Sequence, residues 1–155
     1  MKTIEELLDT VPALEPLSAE HRAVLASCGH SETFAAGDYL LREGEPADAF
    51  YVIVDGAVAL ETFVPQRGAA TVQSLHDGDL VGWSWLVEPY RVAFDARAQS
   101  TVHVLAFDAT DLRTRSAQDP ALGYALLRLF AAVIVQRLQS ARVQLLDLYG
   151  AGIHR

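Results

Sequence analysis

Apolar and polar positions follow three different rhythms along this chain. Near the N-terminus, Ile4, Leu7 and Leu8 share one face of a short helix behind Thr3, with Glu6 three residues on in the arrangement of a capping box. Pro12 and Pro16 break the chain. Ser18 then opens a second short helix, with Leu17, Val24, Leu25 and Cys28 as its apolar positions and an end near Gly29. From Ser31 to Asp108 the runs shorten and are punctuated by Gly37, Gly44, Gly56, Gly68, Gly78 and Gly82. Between those glycines β-branched and aromatic residues dominate, as in Phe50-Tyr51-Val52-Ile53-Val54, in Val58 to Val64 and in Val102 to Asp108. Val54-Asp55-Gly56-Ala57 predicts a hairpin and Pro65-Gln66-Arg67-Gly68 a second turn. Short strands with such frequent turns predict an antiparallel sandwich or barrel.

After Asp108 the period becomes helical. Ala109 to Arg115 predicts a short helix, and Asp119-Pro120 starts a long one, with Asp as its cap and Pro in its first turn. Leu127, Phe130, Ile134, Leu138, Ala141, Leu145 and Leu148 follow at steps of three or four residues, a seam like that of a coiled coil. Leu122, Leu126, Leu129 and Val133 lie on a neighbouring face. Two apolar stripes need two partners. One is assigned to the β core and the other to the same helix of a second subunit, and the helix is expected to end at Tyr149-Gly150. The chain thus reads as one domain over residues 1–155, mainly β with flanking helices: N-terminal helices over 1–30, strands over 31–108 and C-terminal helices over 109–149.

Composition narrows the function. Of 155 residues, 51% are hydrophobic and 21% charged, which suits one globular core. The net charge is −8 and Lys2 is the single lysine, so direct nucleic-acid binding is not expected. Cys28 is the sole cysteine, which excludes an intrachain disulfide, suits a reducing compartment and reads as a small buried apolar residue. The first residues carry no signal-peptide pattern. The run from Leu126 to Val135 contains Arg128 and is closed by Gln136 and Arg137, so no membrane span is expected. A soluble, cytoplasmic protein is expected.

Catalytic chemistry is not in view. His21, His30, His76, His103 and His154 have no metal-ligand spacing, and His76-Asp77 reads as a turn. Nucleophile-elbow, Walker and dinucleotide-binding patterns are missing, so an enzyme is not expected.

The stretch Gly78 to Arg91 stands out as a glycine-bounded loop between strands, where backbone amides can approach a ligand. Trp83, Trp85 and Tyr90 enrich it in aromatics, able either to stack on a flat ligand or to fill the volume one would occupy. Glu88, before Pro89, reads as a surface turn, and Asp95 and Arg97 as a cross-strand pair. Gly37-x-x-Leu40, Gly44-Glu45, Phe50-Tyr51-Val52-Ile53-x-x-Gly56-x-Val58 and Gly78-Asp79-x-x-Gly82, set between short helices and one long helix, resemble the cyclic nucleotide-binding domain over residues 14–148.

That resemblance implies a double-stranded β-helix, or jelly-roll-like β-roll. It implies a phosphate-binding cassette between Gly78 and Ala98 and a C-terminal helix that dimerises, as in bacterial transcription regulators of the family. The ligand implied is a cyclic nucleotide or similar anion at Gly82, Trp83, Ser84, Arg91, Val92 and Ala93, and the role implied is regulatory, through a protein partner. Two departures go with it. Only Gly150 to Arg155 follow the long helix, where those regulators carry a helix-turn-helix, so the sensor half alone is expected. The family's cassette has Gly-Glu, the carboxylate meeting the ribose hydroxyl, but Trp83 follows Gly82 here and cannot accept that bond. Counting back from Ala98 puts Val92 at the family's phosphate-pairing arginine, with Arg91 one residue away. A domain that has lost its ligand and serves as a dimeric scaffold is the alternative reading.

Overall fold

The computed structural model describes residues 2–153, with side chains through residue 147. Leu148, expected to close the seam, and His154 lie outside those described side chains. Helix α1 (Ile4–Leu8) begins at Thr3, whose Oγ1 accepts from the Glu6 amide at 3.1 Å. Helix α2 (Ala19–Ser27) begins at Ser18, whose Oγ accepts from the His21 amide at 3.1 Å. Cys28 is buried just beyond α2, its Sγ donating to Asp111 Oδ2 at 3.1 Å, and burial raises the thiol pKa before that bond adds to it.

Eight strands follow: β1 (Gly29–Phe34), β2 (Tyr39–Leu41), β3 (Ala49–Asp55), β4 (Val58–Val64), β5 (Gly68–Leu75), β6 (Leu80–Val81), β7 (Asp95–Ala98) and β8 (Val102–Asp108). They form two four-stranded antiparallel sheets, ordered β1-β8-β3-β6 and β2-β7-β4-β5. The strand region therefore starts at Gly29, two residues earlier than expected. The β-roll leads into α3 (Ala109–Gln118), longer than the expected Ala109–Arg115, and α4 (Pro120–Ile153).

The Asp55-Gly56 turn is not a hairpin. It hands the chain from β3 in one sheet to β4 in the other. Gly56 has φ +118° there, and a Cβ on it would stand 2.7 Å from the Thr101 carbonyl oxygen. The hairpin is the next turn: β4 pairs with β5 from Val64↔Gly68 onward, and Gln66 takes φ 73°. Nor do Asp95 and Arg97 pair with each other. Arg97 reaches across to Glu61 on β4 at 2.8 Å, and Asp95 Oδ1 accepts from the Glu43 amide at 2.8 Å.

Strand β3 is buried on both faces. Tyr51 and Ile53 join Leu60, Leu75, Val81, Ala96 and Val104 between the sheets. Phe50 and Val52 face the opposite way, toward Leu25, Trp85, Leu105, Phe107, Leu112 and α4. This second core rests on stacked rings. Phe50 lies 4.9 Å from Trp85 and 4.8 Å from Phe107, both nearly parallel, and Phe130 meets Phe50 edge-on at 5.1 Å.

Helix α4 departs from expectation in three ways. It continues to Ile153 rather than ending at Tyr149-Gly150. Phe130, assigned to the subunit seam, is 2% exposed and belongs to the monomer core with Leu122, Leu126 and Leu129. The α4 stretch Pro120–Asp147, with a mean hydropathy of 1.5 over its apolar window, is also long and apolar enough to cross a bilayer by length and composition. That corrects the expectation of no such run, although its buried stripe packs on the β-roll.

Phe130→Ala removes the edge-on ring from a filled core and is expected to cost about 3–5 kcal/mol. Tyr124→Ala, at a 64% exposed position of the same helix, is expected to stay within about 0.5 kcal/mol. Urea denaturation of both variants at matched protein concentration checks the difference.

Candidate ligand cavity between the cassette and helix α4

The loop that follows β5 is built by its own turns. Asp79 Oδ2 accepts from the His76 amide at 2.8 Å, and Asp77 Oδ1 accepts from the Gly56 amide at 3.0 Å, so both carboxylates hold backbone rather than a histidine ring. Strand β6 joins β3 through Ile53 N to Asp79 O at 3.0 Å and Gly78 N to Ile53 O at 2.7 Å. Gly82 then turns the chain at φ +97°, where a Cβ would come 3.0 Å from Leu41 Cδ1. A 3-10 turn at Ser84–Leu86 carries Trp85 inward to full burial.

The returning limb is zipped to the loop after β2. Ala47 N donates to Tyr90 O at 2.8 Å, Val92 N to Glu45 O at 2.9 Å and Gly44 N to Val92 O at 2.9 Å. This extended pairing sets which side chain points where, because successive residues alternate faces. Val92 is 6% exposed and turned inward, whereas Arg91, whose backbone bridges to Pro46, is exposed. Glu88 is exposed as well.

One side chain outside the loop holds it. Arg113 of α3 donates Nη1 to the Ala47 carbonyl at 3.0 Å and to the Trp85 carbonyl at 2.8 Å, and its guanidinium lies 4.6 Å from the centre of the Tyr90 ring. Nothing in the sequence pattern pointed to Arg113, because its acceptors are carbonyls that only the folded chain brings within reach.

Of the predicted site residues, Gly82, Trp83, Ser84, Val92 and Ala93 line one cavity, and Arg91 does not. Its free volume is about 20 Å³, room for a single water. Arg137 of α4 lines the same cavity and donates to the Leu80 carbonyl. It is the only charged side chain in the lining. Burial lowers its pKa, and the Asp79 carboxylate opposes the shift. Trp83, Phe94 and Arg137 separate this cavity from an apolar cleft of about 220 Å³ between β5 and α4, bounded also by Val72, Ile134 and Leu138. Among the described residues, no group of three or more His, Cys, Asp or Glu side chains could hold a metal ion.

Comparisons with known proteins agree with this architecture. Residues 31–119 match the family model for the cyclic nucleotide-binding domain. A cAMP-dependent protein kinase regulatory subunit of Emericella nidulans is 34% identical over 100 residues, 64% of this chain and 24% of that protein. A CRP-like cAMP-activated global transcriptional regulator of Mycobacterium tuberculosis is 27% identical over 115 residues, 74% of this chain and 50% of that protein. The chain thus spans half or less of these curated relatives. Among solved structures, a candidate cyclic nucleotide-binding protein from Geobacter metallireducens superposes with a TM-score of 0.77 at 29% identity, covering 89% of this chain and 99% of that one.

Arg113→Ala removes two carbonyl bonds and the contact with Tyr90. It is expected to lower stability by about 1–3 kcal/mol and to speed amide hydrogen exchange in residues 84–92 before the β-roll exchanges. Exchange measured by mass spectrometry checks both parts.

Proposed function

From the premise that the chain belongs to the cyclic nucleotide-binding domain family, we propose that it is a dimeric regulatory module. A small anionic ligand of the cyclic-nucleotide class, bound between the cassette and α4, changes the surface that the dimer offers to a protein partner. The observation that carries this reading is the tie across the cavity. Arg137 on α4 holds the Leu80 carbonyl at the root of the cassette, and both elements line one space, so a ligand that takes over this bond releases the helix from the cassette. The cavity opens with that release rather than standing ready.

The dimer is supported by the apolar seam of α4, of which Ile134, Leu138 and Ala141 also border the cleft beside β5. With Phe130 in the core and exposed Ala131 in its place, Leu127, Ala131, Ile134, Leu138, Ala141 and Leu145 fall at alternating steps of four and three residues. Leu127, Leu138 and Leu145 are 52%, 68% and 54% exposed, and an identical helix is the occupant whose period matches. The cytoplasm suits the free thiol of Cys28. The net charge of −8 favours output through a protein rather than nucleic acid.

A second reading, a ligand-free scaffold with the same dimer, is favoured by the cavity volume of about 20 Å³ and by the fully buried Trp85 beside it. Isothermal titration with cyclic AMP and cyclic GMP separates the two. Heat of binding with at least one is expected for the regulatory module, and silence with both leaves the scaffold. Light scattering is expected to give twice the chain mass, and Leu138→Glu is expected to weaken the dimer by roughly tenfold or more, about 1.4 kcal/mol. An unaltered mass for that variant would remove the seam from the interface.

A further inference from the structure

We propose that Arg137, on helix α4, is the anion-recognition residue of this domain: its guanidinium, rather than one from the cassette loop, pairs with the charged group of the ligand. The proposal rests on the regulatory reading above and names the group through which a ligand would act.

Four observations converge on it. Arg137 borders both the cassette cavity and the apolar cleft beside it, so it stands where the two spaces meet. It makes no direct ion pair among the described residues, and the Asp79 carboxylate acts on it only from beyond 4.0 Å. Arg22, Arg97, Arg113 and Arg115 each have a carboxylate within 4.0 Å, whereas among the described residues Arg137 has none and its one acceptor is the Leu80 carbonyl. A guanidinium withdrawn from water without a carboxylate in contact is costly, and an anion placed beside it reduces that cost. The indole Nε1 of Trp85, in the wall of the same cavity, is buried without an acceptor. Two lining residues, Arg137 and Trp85, thus carry donors with unused capacity around a space that no carboxylate lines.

The fourth observation concerns the alternative cation. Turning Arg91 inward requires the Tyr90–Val92 limb to rotate. That breaks the three bonds to Gly44, Glu45 and Ala47 and drives Val92 out of the core. Arg137 requires only that its bond to Leu80 be exchanged for one to the ligand. A guanidinium suits that exchange, since its fork meets a phosphate or carboxylate through two parallel bonds. The adjoining cleft, with Val72, Trp83, Phe94, Ile134 and Leu138 on its walls, offers about 220 Å³ for the apolar body of the same molecule. The ligand class is thus a small organic anion with a flat or apolar body, of which a cyclic phosphodiester of a nucleoside is the test case.

The experiment titrates the full chain and its variants with cyclic AMP, cyclic GMP, adenosine and guanosine, following tryptophan fluorescence and heat. Arg137→Gln is expected to weaken the charged nucleotides by roughly 10- to 100-fold while leaving the uncharged nucleosides near their original affinity. Arg137→Lys keeps the charge without the fork and is expected to fall between. It also serves if the glutamine variant does not fold, because an unchanged affinity in the lysine variant counts against the paired geometry. Arg91→Ala is expected to bind as the unaltered chain does. Equal losses for nucleotides and nucleosides in Arg137→Gln would mean that Arg137 only props up the fold. Loss in Arg91→Ala with none in Arg137→Gln would overturn the assignment while leaving the regulatory reading intact. No binding of any of the four compounds by the unaltered chain would overturn both.

Discussion

The ring of Phe50 is the point on which the rest of the molecule depends. It stacks on both Trp85 and Phe107 and meets Phe130 in a T-shaped contact. Those rings come from β3, the cassette, β8 and α4, so one cluster joins the strand that both cores share to the loop and the helix that border the cavity. Burial of such large apolar groups is the main favourable term available to a chain of this size. Trp85 can be part of this core only if the loop after Gly82 turns sharply inward. The cassette is thus folded by the same stack that anchors α4.

Around that anchor, a question of parity decides the chemistry. Tyr90 turns the chain at φ 58°, and Arg91 and Val92 then pair with Pro46 and Glu45, so their side chains face opposite ways. Val92 is drawn to the core because it is apolar, and Arg91 is left facing water. Arg113 reinforces the choice from behind by holding the Ala47 and Trp85 carbonyls with one guanidinium. A neutral inner wall in the cassette follows from that register, and the one cation facing it comes from α4.

Much of this fold was legible in the sequence because its cues are local. Glycines that need positive φ, β-branched runs and the caps at Thr3 and Ser18 each act within a few residues. What could not be read depended on distant partners. Asp55-Gly56 has the chemistry of a hairpin turn, but a turn motif carries no information about which sheet the next strand joins. Phe130 and Ala131 both fit a step of three or four from Leu127, and only the position of Phe50 in space decides between them. At the candidate site the glycine, aromatic and small positions could be located, yet the arginine that holds the loop and the arginine that lines the cavity could not. Arg113 and Arg137 bind backbone carbonyls far away in the chain, and a carbonyl leaves no mark on the sequence.

Helix α4 also has the proportions of a lever. Its last residues packed into the monomer core are Phe130 and Val133, and from residue 134 to 147 every side chain is exposed or only partly buried. The overhang is about 20 Å at 1.5 Å per residue. With Phe130 as fulcrum, a tilt of about 10° would carry the far end, about 25 Å away, through about 4.4 Å, more than half a helical turn. The bond from Arg137 to Leu80 lies close to the fulcrum, where a small displacement is magnified most. A loop only a few residues long can therefore govern the spacing of surfaces well beyond its own reach.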